Sequence, residues 1–414
     1  MPVKILWITH DPIRTSVNDG ASSSGFWKEA LLELLQSNPD LEITTCFPGN
    51  ACKKINERFY TFRYQPTKII TGLPSLPIRD LKEIVAAVKP QLIHVHGTEV
   101  PYGLMAAHTS IPVVISLQGF LSEWYNGVLG NIALPIWQKA TTLKERIRKN
   151  GFLHMHAQWF YNADCEIKTV QQNRYFIGRT SFDHDFVKKH NATAQYFLGN
   201  ELLRSEFYKH KWEAAAAEPF SLYTSSTTNP VKGFHVLLEA LHFLKQEFPA
   251  VKLRVPGSIL PKQLNGVTGN SYYRIIDQLI RKYDLKNQIE FCGRLNATEI
   301  VSILKKTQVF VMPSFMENSS NALGEAQVLG VPSVVTNCGG TGTLIKDNIN
   351  ALFFRPGDGY DLAQKIRNVF LNRELQLKLS EQGRKEGLDF HNQQLIAEQY
   401  PTIYQQILTY ESSL

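Results

Sequence analysis

The stretch from Val309 to Thr336 reads VFVMPSFMENSSNALGEAQVLGVPSVVT and contains a complete strand, loop, helix and strand pattern. Residues 309–313 form an apolar run of strand type that its final proline stops. Residues 314–321 are polar and rich in capping residues, and residues 322–330 place apolar side chains about one turn apart before a glycine ends the pattern. Residues 331–336 resume the strand pattern. This order predicts a helix that begins shortly after the carboxyl end of a strand.

Two glutamates, Glu317 and Glu325, stand in this stretch with seven residues between them. The first turn of a helix carries free N–H groups and roughly half a positive charge, so an anion is its natural ligand. Carboxylates accept hydrogen bonds from hydroxyl groups, in which sugars and riboses are rich. The spacing alone leaves two interpretations: a site for a phosphate-linked sugar, or a solvated Glu317 and a Glu325 that complements the helix dipole.

The stretch resembles the nucleotide-sugar motif of retaining glycosyltransferases with the GT-B fold, specifically glycosyltransferase family 4. The resemblance rests on the order and spacing of Pro313-Ser314, Glu317, Glu325-Ala326, Gly330-Val331-Pro332 and Gly339-Gly340. It implies that Glu317 holds hydroxyls of the donor sugar, that Glu325 holds the ribose, and that the backbone amides between them hold phosphate. The implied donor-binding residues between the two glutamates are Asn318, Ser319, Ser320 and Asn321.

A lysine upstream is the predicted partner of the donor diphosphate. Lys232-Gly233 stands at the start of a predicted helix, where an ammonium group can neutralise charge on a leaving diphosphate without a metal. Without the resemblance, Lys232 would be interpreted as a surface residue. The family usually has an arginine five or six residues before this lysine, whereas Thr227 and Ser226 stand there in this chain.

The resemblance implies two further residues near the nucleotide, and at two other positions the chain departs from the family pattern. Gly257 and Arg294 each follow a strand pattern and are placed beside the nucleotide, and Arg294 is a candidate to supply the missing positive charge. Gln118 stands where many family members have a catalytic histidine, so it retains a hydrogen-bond donor and acceptor but cannot handle a proton in the same way. Thr343 stands where the family usually has a glutamate.

The first half of the chain alternates between strand and helix patterns. The predicted strands are residues 3–9, 41–46, 92–95 and 112–117, and the predicted helices are residues 26–35 and 78–88. Such alternation favours an α/β protein with a parallel sheet that binds ligands at the carboxyl ends of its strands. The resemblance implies the GT-B architecture: two Rossmann-like domains facing an interdomain cleft, with a C-terminal helix that crosses back to the first domain. The predicted domains are an acceptor-side domain, residues 1–200 with 390–414, and a nucleotide-sugar domain, residues 201–389.

Two features of the first half lie near predicted strand ends. The small-residue loop 18–25 lets the backbone approach a ligand closely, and the resemblance assigns Gly25 to donor binding, with a plain flexible loop as the alternative. His94 and His96 alternate along a strand and therefore share one face. The sequence offers them no convincing third metal ligand, so we expect one histidine to be packed and the other to line the cleft.

The tripeptide Asp183-His184-Asp185 imitates a metal-binding motif of another glycosyltransferase fold. It directly follows Thr180-Ser181, so we interpret its acids as first-turn helix residues that support a cap. We expect neither a metal ion nor a cofactor, the nucleotide-sugar being a substrate.

Residues 131–160 read as helical and mix Trp137 and Trp159 with basic residues. The basic residues are Lys139, Lys144, Arg146, Arg148 and Lys149. A basic aromatic face predicts peripheral contact with a membrane that carries a lipid-linked acceptor. The alternative is an ordinary solvated helix face.

Bulk composition narrows the class of protein. The 414 residues permit two or three domains, and 43% hydrophobic with 20% charged residues is typical of a globular enzyme. A net charge of +7 suits anionic nucleotides or an anionic membrane surface, whereas nucleic acid is disfavoured because no long basic tract or recognisable module is present. Five scattered cysteines indicate a reducing compartment, and no signal-peptide pattern stands at the start. We therefore expect a cytoplasmic protein, with peripheral contact at the inner face of a membrane.

The predicted function is metal-independent, retaining transfer of a sugar from a nucleotide-sugar donor to a saccharide or lipid-linked saccharide acceptor. The resemblance suggests polysaccharide assembly, with Lys232, Glu317 and Gln118 as catalytic residues. Two alternatives stay open: a catalytically impaired sugar-nucleotide-binding protein, motivated by Gln118 and the missing arginine, and a GT-B-like nucleotide-sugar epimerase. An NAD oxidoreductase is disfavoured because no Gly-x-Gly-x-x-Gly follows the first strand.

Overall fold

The computed structural model describes residues 2–13, 26–63, 76–257 and 271–413. The chain forms two compact units. Unit 1 comprises Met1–Ser122, Gln158–Leu203 and His391–Leu414, and unit 2 comprises Glu123–Ala157 and Arg204–Phe390. The predicted domains differ from these units mainly in residues 123–157, which make their contacts within unit 2, and otherwise by at most three residues at the boundaries.

Unit 1 is built on an eight-stranded sheet with the order β3-β4-β2-β1-β5-β6-β7-β8. Its strands are β1 (Val3–Ile8), β2 (Leu41–Gly49), β3 (Lys53–Lys54), β4 (Phe59–Arg63), β5 (Leu92–His96), β6 (Val113–Ser116), β7 (Tyr175–Gly178) and β8 (Gln195–Leu198). Only the β3–β4 pairing is antiparallel among these described strands. The strands β3, β4, β7 and β8 were not predicted from the sequence.

Unit 2 contains a six-stranded parallel sheet with the order β11-β10-β9-β12-β13-β14. Its strands are β9 (Ser221–Tyr223), β10 (Lys252–Val255), β11 (Ile289–Phe291), β12 (Val309–Met312), β13 (Ser333–Thr336) and β14 (Leu352–Phe354). The strand order reverses between β9 and β12, which are neighbours in the sheet. In open parallel sheets such a reversal opens a crevice at the carboxyl ends of the two strands, where ligands bind.

Helices cover the sheets, and the bounds of α1 and α2 agree with the predicted ones to within one residue. They are α1 (Phe26–Gln36), α2 (Ile78–Val88), α3 (Leu121–Gly127), α4 (Leu134–Ala140), α5 (Leu143–Arg148), α6 (Phe152–Gln172), α7 (Ser181–His190), α8 (Ser205–Tyr208), α9 (Phe234–Glu247), α10 (Ser271–Lys282), α11 (Ala297–Lys306), α12 (Asn321–Leu329), α13 (Thr341–Leu344), α14 (Gly359–Leu371), α15 (Arg373–Phe390) and α16 (Gln393–Ser412). The segment predicted as one helical stretch over residues 131–160 is divided into α4, α5 and the start of α6.

The predicted break in the C-terminal helices is displaced. The sequence pattern of residues 371–414 predicts helix with a break at Gly387-Leu388-Asp389. Gly387 instead lies inside α15, which continues to Phe390. A Cβ atom at Gly387 would lie 2.8 Å from Gln327 Cβ and 3.0 Å from Val328 N of α12. The glycine therefore permits close packing of two helices and does not end one.

The last helix, α16, packs on the sheet of unit 1. Tyr400, Ile403, Tyr404 and Ile407 share a buried apolar cluster with Trp7 of β1. The Tyr404 hydroxyl accepts a hydrogen bond from the Trp7 indole at 3.2 Å. This packing confirms that the C-terminal helix returns to the first part of the fold.

Among the residues described, none of the helices combines the length and apolar character needed to span a bilayer.

A buried histidine in unit 1 gives its stability a pH dependence. His94 lies fully buried, with Nδ1 2.8 Å from the Tyr404 hydroxyl and Nε2 2.7 Å from Ser116 Oγ. Burial lowers the pKa of His94 from 6.5 to about 3. The imidazole is therefore neutral in the folded protein at pH 5, whereas in the unfolded chain it is mostly protonated.

We expect unit 1 to lose stability as the pH falls below 6.5. The unfolded chain binds more protons than the folded one in this range, so His94 alone accounts for a loss of ~2 kcal/mol between pH 7.5 and pH 5. Urea unfolding followed by circular dichroism at both pH values measures this loss. His94→Gln should reduce the difference by that amount, and an unchanged pH dependence in the variant would contradict the assignment.

Candidate functional site

A polar pocket lies at the strand-order reversal of unit 2. It has a volume of about 270 Å³ and opens where β9 and β12 end. Residues Thr224, Ser225 and Ser226 line it after β9, and residues 312–314 and 319–322 line it after β12, together with Lys232 and Glu317. Hydroxyl groups, one ammonium and one carboxylate thus converge at the position where the topology predicts a ligand.

Lys232 and Glu317 form an ion pair in this pocket. Lys232 Nζ lies 2.7 Å from Glu317 Oε1, and the Ser314 hydroxyl donates to the same oxygen at 2.7 Å. The Glu317 side chain is 8% exposed and that of Lys232 is 26% exposed. Among the described residues both bonds reach Oε1, so Oε2 and the other two N–H groups of the ammonium are available to a ligand. The Trp124 ring centroid lies 5.4 Å from Lys232 Nζ, a cation–π distance.

The chain brings these side chains together by a close approach of two backbone segments. Lys232 ends a short 3₁₀ turn, Pro230–Lys232, and Gly233 begins α9 with a φ of 69°. A Cβ atom at Gly233 would lie 1.8 Å from the Pro313 carbonyl oxygen, so only glycine fits. The Gly340 N–H donates to the Glu317 carbonyl at 2.9 Å and fixes the loop from the other side. The Lys-Gly and Gly-Gly pairs of the sequence motif are therefore structural supports of the ion pair.

The loop before α12 presents polar groups at the start of the helix. Ser320 is the N-cap, and its hydroxyl accepts from the Leu323 N–H at 3.4 Å. Ser319 Oγ and Asn321 Oδ1 are buried without a hydrogen-bond partner among the described residues. Buried polar atoms are usually satisfied, so these two atoms point to a polar ligand or water in the pocket. Asn318 is buried in the same loop.

Glu325 is engaged by an arginine that sequence reasoning missed. Arg204 Nε and Nη2 each lie 2.6 Å from one oxygen of the Glu325 carboxylate. Burial raises the pKa of Glu325, and the Arg204 guanidinium opposes this rise. The two residues are 121 positions apart, so no local pattern in the sequence could have indicated the pair. Trp124 was missed because the sequence analysis assigned its segment to the other domain.

The other predicted donor-site residues are placed differently. Gly257 and Gly293 exchange backbone hydrogen bonds at 2.6 and 2.8 Å beyond the ends of β10 and β11, and Arg294 follows with an exposed side chain. Neither Gly257 nor Arg294 is among the described residues that line the pocket. Gly25 lies outside the described residues.

Gln118 belongs to unit 1 and follows β6. Its side-chain amide donates to Glu201 Oε1 at 3.3 Å, and the same oxygen lies 3.0 Å from Arg179 Nη2. The Arg179 and Glu201 side chains are both buried. The predicted catalytic role of Gln118 stays a prediction.

The histidine pair of β5 differs in part from the expectation. His94 and His96 share a face, as predicted, and their rings stack at 4.1 Å, but both are buried. The expectation that one of them is open was wrong, because Trp7 and Trp27 pack against His96. Both ring nitrogens of His96 lack a partner among the described residues.

The Asp-His-Asp tripeptide supports a helix, as predicted. Asp183 forms a capping box with Thr180 at the start of α7. The Asp185 side chain is largely exposed and lies 3.0 Å from His184. In the described part of the chain, no three His, Cys, Asp or Glu side chains converge as a metal ion would need.

Two largely parallel α/β sheets of this type are characteristic of the GT-B fold. The fold matches sucrose-phosphate synthase from Thermosynechococcus elongatus with a TM-score of 0.72 at 16% identity, covering 99% of this chain and 100% of the other. It also matches HepE from Anabaena, solved in complex with UDP, with a TM-score of 0.66 at 15% identity over the full length of both chains.

Two sequence profiles match segments of this chain. The profile described as "Glycosyl transferases group 1" matches residues 205–386, and that described as "Glycosyl transferase 4-like" matches residues 20–123. These two segments of the chain are therefore similar to group 1 and family 4-like glycosyltransferases. The chain is 27% identical over 158 residues to the putative colanic acid biosynthesis glycosyltransferase WcaL of Escherichia coli. The aligned segment covers 37% of this chain and 36% of that protein. The chain spans about two-fifths of the length of the curated relatives it matches.

Substitution of Gly233 tests the close approach that forms the ion pair. Gly233→Ala should destabilise the protein by more than the ~1–2 kcal/mol that a left-handed alanine costs, because the new Cβ would clash with the Pro313 carbonyl. Gly293→Ala is a matched control, since Gly293 has a φ of 71° and its Cβ would meet no atom of the described residues within 4 Å. Urea unfolding measures both variants. Equal losses of stability would contradict a steric requirement at Gly233.

Proposed function

We propose that this protein transfers a sugar from a nucleotide-sugar donor to a saccharide or lipid-linked saccharide acceptor, with retention at the anomeric carbon and without a metal ion. The observation that carries the proposal is the Lys232–Glu317 ion pair in a hydroxyl-lined pocket at the start of α12. Similarity to group 1 glycosyltransferases supports the reaction class.

The donor diphosphate is assigned to Lys232 and to the backbone amides at the start of α12. The ammonium supplies a full positive charge and the helix terminus supplies a partial one, and both oppose the negative charge that grows on a leaving diphosphate. Ser225 and Ser226 line the same pocket and can donate hydroxyl hydrogen bonds to phosphate oxygens. Ser226 stands at one of the two positions where the family usually has an arginine, so this part of the pocket is polar but uncharged.

The donor sugar is assigned to Glu317. Its carboxylate is held by Lys232 and Ser314 through Oε1, so its second oxygen can accept bonds from sugar hydroxyls. In the proposed reaction the bond between the anomeric carbon and the diphosphate oxygen breaks, and the acceptor oxygen bonds to that carbon on the same face. The acceptor proton passes to the departing diphosphate. The transition state carries positive charge on the sugar ring, which a fixed carboxylate stabilises.

The ribose is assigned to Glu325, and Arg204 is a positioning residue for it. A bidentate arginine fixes the orientation of a carboxylate and keeps a buried acid in its charged form. Gly257 and Arg294 remain our candidates for contact with the nucleoside.

The acceptor is assigned mainly to unit 1. The strand order of its sheet reverses between β1 and β5, and His96 ends β5 at that point. Ligands of open parallel sheets bind at the carboxyl ends of the strands beside such a reversal. A lipid-linked acceptor would bring the protein to a membrane surface, which fits the cytoplasmic, peripheral location predicted from the sequence.

Transfer and its dependence on Glu317 can be measured together. UDP-, GDP- and ADP-sugars are first screened for thermal stabilisation, and release of nucleoside diphosphate is then measured with mono- and oligosaccharide acceptors. Glu317→Gln should lower kcat/KM by about 10²–10³, or ~3–4 kcal/mol, because a charged contact to the transition state is lost. Glu374→Gln, at an exposed position of α15, is the matched control.

The outcomes separate the proposal from its alternatives. Donor binding by calorimetry with neither transfer nor hydrolysis would support an impaired sugar-nucleotide-binding protein. Conversion of the donor into an epimeric sugar without an acceptor would support an epimerase. Transfer at the wild-type rate by Glu317→Gln would remove Glu317 from the mechanism.

Metal independence gives a separate prediction. After treatment with EDTA the protein should retain its transfer rate within about twofold, since Lys232 and the helix terminus neutralise the diphosphate in place of a divalent cation. Transfer rates before and after chelation, and after Mg²⁺ is restored, provide the measurement. A loss that only the restored cation reverses would contradict this part of the proposal.

A further inference from the structure

A surface of unit 2 exposes large apolar side chains beside a cluster of positive charge. We call it the α4–α5 surface and define it by Leu134, Ile136, Leu143 and Ile147 with Lys139, Lys144, Arg146, Arg148 and Lys149. Leu143 is 72% and Ile147 73% exposed, while Leu134 and Ile136 are 55% and 48% exposed. Contiguous exposed apolar side chains rimmed by polar ones mark interaction sites on folded proteins.

Buried contacts anchor the α4–α5 segment on unit 2 and leave its apolar side chains exposed. Trp137 of α4 and Phe152 of α6 are buried in the main core of unit 2 and pack against each other at 5.4 Å. Glu145 closes a capping box with Thr142 at the start of α5, and its other carboxylate oxygen accepts from the Ser271 N–H at 2.9 Å. The segment is therefore anchored on one side and presents its apolar side chains on the other.

The side chains of α5 are arranged in two adjacent stripes. Leu143 and Ile147 are four residues apart and share one face, and Lys144 and Arg148 share the neighbouring face. Glu145 is the only acid in α5, and its carboxylate is occupied by the cap and by Ser271. An apolar stripe flanked by basic side chains is the arrangement of helices that lie at a lipid interface.

A basic pocket adjoins the two stripes. It has a volume of about 530 Å³, and its lining includes Arg146, Lys149 and His154 together with one acid, Glu145, and Gln138 from α4. Arg146 Nη2 donates to the Gln138 carbonyl at 2.9 Å and ties α5 to α4. The size and charge of this pocket suit a phosphate group at the end of a lipid.

We propose that the α4–α5 surface docks on an anionic phospholipid bilayer. Leu143 and Ile147 insert at the boundary of head groups and acyl chains, and Lys144, Arg148 and the pocket residues contact lipid phosphates. This inference rests on the membrane contact included in the proposed function, and it identifies the surface that makes that contact. It involves no donor-site residue, so it can fail or hold independently of glycosyl transfer.

Charge complementarity favours a bilayer over a second copy of this chain. The surface carries five basic residues and one acid over residues 139–149, so two copies facing each other would repel. Anionic lipids attract such a cluster, and the apolar side chains supply the contact that salt does not weaken.

Co-sedimentation of the full chain with vesicles tests the proposal. The chain should bind vesicles of phosphatidylcholine mixed with phosphatidylglycerol at least about tenfold more tightly than vesicles of phosphatidylcholine alone. Leu143→Ser with Ile147→Ser should weaken binding to the mixed vesicles at least about tenfold. Lys144→Glu with Arg148→Glu should abolish the preference for phosphatidylglycerol.

The matched control is Leu371→Ser with Leu377→Ser, which removes two exposed leucines of unit 2 outside this surface and should bind like the unaltered chain. Thermal unfolding midpoints show whether each variant is folded. Equal binding by the α5 variants and the control would overturn the proposal. The proposal would also be overturned if the chain did not bind vesicles detectably but formed a dimer in light scattering, and the Leu143 and Ile147 substitutions dissociated that dimer. Release of all bound chain by about 0.5 M salt would also overturn the insertion of apolar side chains.

Discussion

The ion pair between Lys232 and Glu317 is the interaction on which the site in unit 2 depends. It joins the loop that precedes α9 to the loop that follows β12, at the point where the strand order of the sheet reverses. The pair forms because Gly233 lets its backbone approach the Pro313 carbonyl and because the Gly340 N–H holds the Glu317 carbonyl. A buried ion pair is costly unless further hydrogen bonds satisfy it, and Ser314 supplies one of these. The arrangement holds a half-buried cation against a buried anion and leaves hydrogen-bonding capacity on both, which suits a ligand that carries phosphate and hydroxyl groups.

The parts of the fold set by local chemistry were predictable from the sequence. Ser320 and Gly330 delimit α12, and Thr180 with Asp183 begins α7, because capping depends on residues within a few positions of each other. Apolar runs predicted β1, β2, β5 and β6 of unit 1 and β12 and β13 of unit 2 for the same reason. The short β3 lacks an apolar pattern, since both its residues are exposed lysines. Gly387 was read as a helix break because its role depends on α12, which is distant in the sequence.

The candidate site was predictable only in part. Lys232, Glu317 and residues 319–321 come together as the motif implied, and the pocket contains them. Arg204 and Trp124 reach the same unit from distant segments, and neither is marked by a local pattern. The affiliation of residues 123–157 with unit 2 was missed because it depends on burial of Trp137 and Phe152 in that unit's core. The same packing leaves the apolar side chains of α5 on the surface, so one anchoring contact accounts for both the unit assignment and the proposed docking surface.

The central claim is that the loop after β12 holds an activated sugar through Lys232, Glu317 and the start of α12. A crystal structure of the protein soaked with the nucleotide-sugar that stabilises it most tests this claim directly. The account predicts diphosphate oxygens within hydrogen-bonding distance of Lys232 Nζ and of the backbone amides near Asn321, with sugar hydroxyls at Glu317 Oε2. A diphosphate bound elsewhere, with the Lys232–Glu317 pair unchanged and no sugar contact to Glu317, would contradict it.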